Sequence, residues 1–553
     1  MIYSLEYQLF RINPAGYHFT NLLLHIINII LLFYFISLIS NNKTIINLTT
    51  ALFALHPVQT EPVNWIGARA DLLVGLFSLL AITLFINFIK TTKYRFYIFS
   101  LFAFILALFS KEIAILIPLI FLSLTKLLDK KIKSRLKIAP FIIAMLYFIL
   151  RQIVMKELPQ RPWWGGSFYS NILSVMMISS EYIFKLIYPY NLSIDYNFIL
   201  PESIFDIRIL ASVAIYTLLI IWAFKNYPKN KLITFGIVWF IFFLLPALNI
   251  VPLTVLVADR FLYLSSIGVF LAISISIARF TKTKTRKNLI IVLFSLLIIN
   301  YAFTITRRTK DWHNDKTLFE SVLKYYPQSA RAYAEIGSFY TQQENPDKAE
   351  YYFKTAQTLS PNNIILLRGL GSIYLKQNKL DSAEKEFKKA LELSPQDNEA
   401  GNLLAITYKL QGKIEDAIIL YEKYLTTNPN NFYIYHNLSY LYIELERNEE
   451  AKTVLLKAVE NNTISPPILY GLGIIKYLER DLEKSLEYFI QSTKLDPNFA
   501  HGYYGIAVIC NTIGKTTEAD FYLKKIRDVE PELANNFTLK FEEPHISKCP
   551  QEF

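Results

Sequence analysis

The chain changes character near residue 306. Before that point long apolar stretches alternate with short charged loops; after it, apolar positions recur at helical spacing within units of 34 residues. Apolar runs of spanning or near-spanning length occupy about 17–40, 44–56, 72–89, 96–110, 113–128, 138–150, 206–224, 232–250, 260–280 and 288–306. A perpendicular membrane helix needs about 20 apolar residues, so the shorter runs leave their own ends open. The stretch 170–188 is also apolar but carries Ser179, Ser180, Glu181 and Lys185. Counted as a crossing it breaks the alternation of loop charge, and it reads as a re-entrant or interfacial helix. Ten crossings follow.

Loop charge orients them. Lys90, Lys93 and Arg95, the cluster from Lys126 to Lys137, Lys225 to Lys231, and Lys282 to Lys287 mark cytoplasmic loops. The segments around 57–71, 111–112, 151–205 and 251–260 then lie outside, together with everything after 306. On this topology ten of the eleven acidic residues of the membrane half are external, and Asp129 alone is internal. The net charge of +12 divides into +16 over residues 1–306 and −4 over the remainder. The basic excess therefore belongs to membrane orientation, and no basic nucleic-acid reading module is present. Nucleic acid is not an expected partner. Cys510 and Cys549 supply neither a disulfide framework nor a metal spacing, and Cys510 reads as a small core residue of a repeat helix.

The second half predicts an α-solenoid. Alanines recur at 349, 383, 417 and 451, with Ser485 and Ala519 in phase; prolines recur at 361, 395, 429, 497 and 531, with Thr463 in the one missing place. Tyr340, Tyr374, Tyr408 and Tyr442 hold another register, and Gly337, Gly371 and Gly473 a further one. This is the tetratricopeptide pattern of paired antiparallel helices. Six units span 330–531, with a junction and partial repeat over 307–329 and a tail over 532–553. Such arrays form a groove suited to an extended peptide. No Gly/Ser linker separates the last membrane helix from the repeats.

Candidate chemistry collects in the external loops. The segment HPVQTEPVNWIGARAD supplies His56, Glu61, Arg69 and Asp71, and Pro62 suits the start of a short helix with Glu61 at its N-terminus. Lys111-Glu112 interrupts two apolar runs and Asp259-Arg260 opens another. Each dipeptide reads either as part of a site or as a snorkelling helix-end pair. His18, Asn21, His25 and Asn28 fall at i, i+3, i+7 and i+10 on the first helix. That polar stripe faces either a wet cavity or neighbouring helices that it bonds. No dedicated metal-ligand spacing occurs, although a divalent ion held by carboxylates is compatible with the acids present.

Several stretches in combination resemble a known family. GYHFTNLLLH, ALFALHPVQTEPVNWIGARADLL, LFSKEIAILIP, RPWWGGSF, YPYNLSIDYNF and LVADRFLYLSSIG, followed by the repeats, resemble the transmembrane-and-TPR protein O-mannosyltransferases and their bacterial relatives. The resemblance implies an all-α fold: a polytopic GT-C-type membrane bundle (1–306) followed by a TPR solenoid. It implies transfer of a hexose, mannose-like, from a polyprenyl-phosphate carrier to protein Ser/Thr hydroxyls on the periplasmic or lumenal side, here of a bacterial inner membrane. The repeats would present the acceptor protein. Phosphate would then be met by Arg69, Lys111 and Arg260, and Glu61, Asp71, Glu112 and Asp259 are the carboxylates on offer as base. His18, Asn21, His25 and His56 would line the pocket.

Relatives carry a membrane helix and an acidic pair ahead of the region where this chain begins. Loop parity likewise places Met1 outside with no preceding segment, so an N-terminal truncation is expected, with Glu6 no substitute for the pair. Two other functions fit the same architecture: a non-catalytic membrane-anchored repeat scaffold for envelope assembly, and a ligase or polymerase of lipid-linked glycans.

Overall fold

The computed structural model describes residues 2–155, 162–227, 230–281 and 283–530, with side chains from Glu6 onward. The chain forms two compact units, Met1–Phe339 and Tyr340–Phe553. The first is a helical bundle. Its helices are α1 (Ile2–Phe10), α2 (Pro14–Ile39), α3 (Lys43–Leu55), α4 (Thr60–Asn64), α5 (Arg69–Thr91), α6 (Tyr94–Ser110), α7 (Ile117–Leu127), α8 (Ser134–Met155), α9 (Phe168–Ile187), α10 (Ile207–Asn226), α11 (Lys231–Leu244), α12 (Leu262–Phe280), α13 (Lys284–Asp311) and α14 (Asp315–Leu323).

Seven segments among the described residues are long and apolar enough to cross a membrane: Pro14–Ile39, Ile66–Thr91, Ser134–Met155, Ile207–Asn226, Lys231–Leu248, Asp259–Phe280 and Lys284–Asp311. The chain is an integral membrane protein on that evidence. The other three of the ten expected crossings are α3, α6 and α7, of 13, 17 and 11 residues. Helix α3 stops where Pro57 removes a backbone donor and restrains His56 to an extended conformation. Helix α7 begins only after the tight turn Glu112–Leu116.

Ion pairs and hydrogen bonds fix which helix ends lie together. Lys90 Nζ donates to Leu38 O (2.6 Å), Lys231 pairs with Asp129 (2.5 Å) and Arg279 Nη1 donates to Asn226 Oδ1 (3.0 Å). These gather the basic loops at one end of the bundle. At the other end the loops carrying Glu61, Lys111 and Asp259 meet. Helix α9 is anchored at that second end twice over, by Asn171 Nδ2 to Asn249 O (3.0 Å) and by His56 Nε2 to Leu186 O (3.2 Å). With both its termini at the same end, α9 does not thread the bundle.

Packing inside the bundle is aromatic and close. Phe85 stacks on Phe121 at 4.0 Å between ring centroids, and Phe35 on Trp239 at 5.5 Å. Helices α11 and α12 cross at Gly236 and Gly268, where a Cβ added to Gly236 would sit 2.6 Å from Gly268 O. Only a pair of small residues allows two helix backbones so near each other.

The second unit continues from α15 (Ala330–Gln342), which straddles the division. It comprises α16 (Pro346–Leu359), α17 (Ile364–Lys376), α18 (Leu380–Leu393), α19 (Asn398–Leu410), α20 (Ile414–Thr427), α21 (Phe432–Glu444), α22 (Asn448–Glu460), α23 (Pro466–Leu478), α24 (Leu482–Leu495), α25 (Ala500–Thr512) and α26 (Thr516–Val529). Ala349, Ala383, Ala417, Ala451, Ser485 and Ala519 are all buried, which is why that register stays small. Gly371 faces the Phe387 ring, where a Cβ would meet carbon at 2.5 Å. The turn inside each pair needs a left-handed residue, and Glu344, Asn378, Gly412, Glu446, Arg480 and Gly514 adopt it at intervals of 34. Cys510 is buried in α25, a small side chain in the core of a repeat helix. Cys549 and the proposed tail lie outside the described residues.

Candidate functional site

Asp259 and Arg260 reach the site on a loop folded around one side chain. Helix α11 ends in a short turn closed by Asn249 in the left-handed conformation (φ 59°), which asparagine tolerates well. The Asn249 amide donates to Leu256 O (2.8 Å) and Val255 O (3.2 Å), while its Oδ1 accepts from Leu253 N (2.8 Å) and Trp164 Nε1 (3.2 Å). A buried asparagine with every valence used is a rigid fold organiser. The loop it shapes delivers Asp259-Arg260 to the start of α12.

There the two residues diverge into separate acid–base pairs. Arg260 closes on Glu61 of α4: its Nη1 contacts Glu61 Oε1, and its backbone N donates to Oε2 (3.1 Å). Its guanidinium also lies over Trp65 (4.7 Å) and Phe261 (5.0 Å). The opposite edge of the arrangement is Lys111, bonded to Asp71 Oδ1 at 2.5 Å and lying 5.3 Å from the same Phe261 ring. Phe261 thus holds two cations, each with its own carboxylate, side by side. Glu61 is 1% exposed. Burial pushes its carboxyl up to about 7, against the pull of Arg260.

Asp259 turns the other way. Its Oδ1 accepts from Tyr196 OH (2.5 Å) and lies 3.9 Å from Lys185 Nζ, which itself sits 3.5 Å from the Tyr196 ring centroid. Its Oδ2 is buried without a partner. Burial first, and the Asp259 charge second, hold the Tyr196 phenol well above its ordinary range. Sequence reading named neither Lys185 nor Tyr196 for the site. Both lie in the 170–205 region, and its polar breaks at Glu181 and Lys185 were the available signal.

The remaining named residues separate from this cluster or serve the fold. Arg69 is fully buried and its guanidinium is spent on Glu6, Asn21 Oδ1 (2.8 Å) and Tyr17 O (2.9 Å). It therefore presents no free edge to a phosphate, contrary to the expectation, and Glu6, set aside on sequence, is its counter-ion. Glu112 is 54% exposed at its side chain and pairs with Arg151 at 3.6 Å. His18 is exposed, so it leaves the expected polar pocket. Asn21, His25 and Asn28 are buried and bond across helices. Asn21 donates to Val63 O and Trp65 O (both 3.2 Å), His25 Nδ1 lies 2.9 Å from Tyr263 OH, and Asn28 donates to Tyr263 OH (2.9 Å) and Leu72 O (3.0 Å). The stripe acts as interhelical bonding. His56 is likewise enclosed, between Phe270 and Tyr301. Among the described residues no three His, Cys, Asp or Glu side chains are placed together to hold a metal ion.

What the cluster offers chemically is a set of buried carboxylates matched one to one by cations, at the end of a membrane bundle. A ligand that carries negative charge can exchange for a carboxylate on Arg260 or Lys111. The released carboxylate then becomes an acceptor for a proton.

Family models described as tetratricopeptide repeat match residues 340–406, 401–431 and 420–453, so that stretch is built of these repeats. A mouse protein O-mannosyl-transferase, TMTC3, is 23% identical over 409 residues, covering 66% of this chain and 44% of that protein. A Caenorhabditis elegans protein O-mannosyl-transferase is 25% identical over 372 residues (65% and 52%), and mouse TMTC4 is 27% identical over 423 residues (62% and 56%). The chain spans about half the length of these curated relatives. A solved tetratricopeptide repeat protein from Parabacteroides merdae is 24% identical, covers 36% of this chain and 80% of its own, and superposes with a TM-score of 0.31.

Proposed function

We propose that this relative of the transmembrane-and-TPR protein O-mannosyl-transferases is itself a membrane glycosyltransferase. The donor is a hexose on a polyprenyl phosphate, and the acceptor is a Ser or Thr hydroxyl of a protein held by the repeats. Transfer takes place on the extracytoplasmic side of a bacterial membrane, at the end of the bundle that carries the acidic loops. The observation that carries the reading is Glu61: a fully buried carboxyl, raised to about 7, in contact with an arginine that a phosphate can claim.

In this account the donor phosphate competes with Glu61 for Arg260 and with Asp71 for Lys111. Arginine's planar fork favours phosphate, with its several oxygens, in bidentate contact. Glu61 is then left without its counter-ion and in a buried place, which strengthens it as a base. The acceptor hydroxyl oxygen attacks the anomeric carbon, its proton passes to Glu61, and the bond from that carbon to the phosphate oxygen breaks. Arg260 and Lys111 stabilise the charge that accumulates on the leaving polyprenyl phosphate. Asp259, fixed by Tyr196 and Lys185, anchors the loop from which Arg260 projects.

The test is transfer from polyprenyl-phosphate mannose to a Ser/Thr-rich protein by the full chain in liposomes. Glu61→Gln is expected to lower kcat at least about 100-fold without raising KM for the donor, since a general base contributes about 10²–10⁴ and the substitution removes the phosphate's competitor for Arg260. Arg260→Gln is expected to raise donor KM as well as lower kcat. Full activity in Glu61→Gln removes Glu61 from the chemistry.

A further inference from the structure

One aromatic ring at the site is left with open surface. Trp65 closes α4 one helical turn after Glu61, and its backbone N donates to Glu61 O (2.9 Å). Arg260 lies across both residues: its Nη1 contacts Glu61 Oε1, and its guanidinium carbon is 4.7 Å from the centre of the Trp65 ring. Trp65 is nevertheless 36% exposed, and its Nε1 has no hydrogen-bond partner among the described residues. Phe261, the other ring beside Arg260, is half-buried and shared with Lys111. The indole is therefore the aromatic surface that this pair of cations leaves open.

The ring is braced from beneath. Trp65 O accepts from Asn21 Nδ2 (3.2 Å) and from Ala68 N (3.0 Å), and Asn21 is in turn held by Arg69 Nε at 2.8 Å. The Arg69 network, which offers nothing to a phosphate, thus fixes the backbone that carries the indole. Gly67 leaves the ring its room, since a Cβ there would lie 3.0 Å from Trp65 Cε2 and 3.1 Å from Nε1. A tryptophan that only marks the membrane interface needs neither brace. A ring already fixed in place loses little freedom when it binds, so its contacts count nearly in full.

The neighbouring cations decide what the ring meets. The side chains of Arg260 and Lys111 are 12% and 23% exposed, so a phosphate can reach both. A hexose joined to that phosphate is one bond from an oxygen on Arg260, which brings its ring to the place beside the guanidinium that the indole occupies. Hexopyranoses present a face of C–H groups and a rim of hydroxyls. An open aromatic ring takes the face, and a free N–H donates to the rim, the usual division between apolar lining and orienting polar group in a small-molecule site.

We propose that Trp65 is the sugar platform of the site: the donor hexose packs its C–H face on the exposed indole and accepts a hydrogen bond from Nε1 while its phosphate lies on Arg260. The inference rests on the transferase reading and adds to it the residue that recognises the sugar. The test is native mass spectrometry of the full chain in detergent, with two probes that differ only in the sugar: polyprenyl-phosphate mannose and the same polyprenyl phosphate without it. Wild type is expected to retain the mannose-bearing carrier about fivefold or more tightly than the bare one. Trp65→Leu is expected to erase that preference and Trp65→Phe to keep part of it. Gly67→Ala keeps the indole but sets a methyl 3.0 Å from it, and is expected to weaken the preference as well. Equal retention of the two carriers by wild type, or a preference that survives in Trp65→Leu, overturns the platform and leaves the transferase reading standing. A parallel loss of both carriers in Trp65→Leu makes the ring a support for Arg260 alone, which also overturns it. Failure of wild type to retain either carrier overturns the transferase reading, and the platform with it.

Discussion

Removing the Arg260 guanidinium isolates a single buried carboxyl, so Arg260→Ala makes a quantitative prediction. Glu61 is 1% exposed and keeps only its bond from the Arg260 backbone N at 3.1 Å. Breaking a buried pair by removing one partner costs about 3–5 kcal/mol, and the retained backbone bond points to the lower end, about 3 kcal/mol at pH 8.5. The cost depends on pH. Burial raises the folded-state pKa of Glu61 from 4.5 to about 7. Its contribution is therefore fully present below about 4.5, where the carboxyl is protonated folded or unfolded, and is lost as pH rises through 7. Without Arg260 the upper limit moves higher still. At pH 5.5 the orphaned carboxyl takes a proton, and the loss shrinks to the guanidinium's contacts with Trp65 and Phe261, about 1 kcal/mol. Thermal unfolding in detergent should show Arg260→Ala falling about 5 °C at pH 8.5 and only about 2 °C at pH 5.5. Glu61→Gln/Arg260→Ala should recover most of the loss at pH 8.5. Equal losses at both pH values, or no recovery in the double variant, would refute the reasoning.

Four further outcomes follow from the packing and the turns. Gly268→Ala places a methyl against the backbone of α11, 2.7 Å from Phe240 N, and should cost about 3 kcal/mol or prevent folding, read as loss of a monodisperse peak and of thermal stability. Tyr263→Phe strips the hydroxyl shared by His25 and Asn28, each at 2.9 Å, and should lower stability by about 1–2 kcal/mol, checked by the unfolding midpoint. Gly412→Val forces a β-branched residue to φ 77°, and hydrogen exchange over 398–427 should rise by the equivalent of about 1–2 kcal/mol; Glu446→Gly, at φ 58°, should leave exchange over 432–460 no faster than wild type.

The repeats were legible because their register is covalent: a buried alanine every 34 residues is visible in the letters. The turn positions were less so, since Glu446 and Arg480 adopt the left-handed conformation that only Gly412 and Gly514 advertise. Helix α9 was legible as well, through Ser179, Glu181 and Lys185, whose charge spoils a crossing. Pairings were not. Glu61 and Arg260 stood among the candidate residues, but their contact spans 199 positions and depends on how Asn249 folds one loop. Arg69 looked like a free cation because Glu6, its counter-ion, precedes the bundle. His18 kept the helical phase of Asn21 and His25, yet it is exposed where they are buried.

The most direct measurement is mass spectrometry of a Ser/Thr-rich protein after incubation with polyprenyl-phosphate mannose and the full chain, wild type beside Glu61→Gln. The account predicts hexose additions on hydroxyl side chains with wild type and nearly none with Glu61→Gln, at equal folded protein. An unmodified protein with wild type, or equal modification by both, would contradict it.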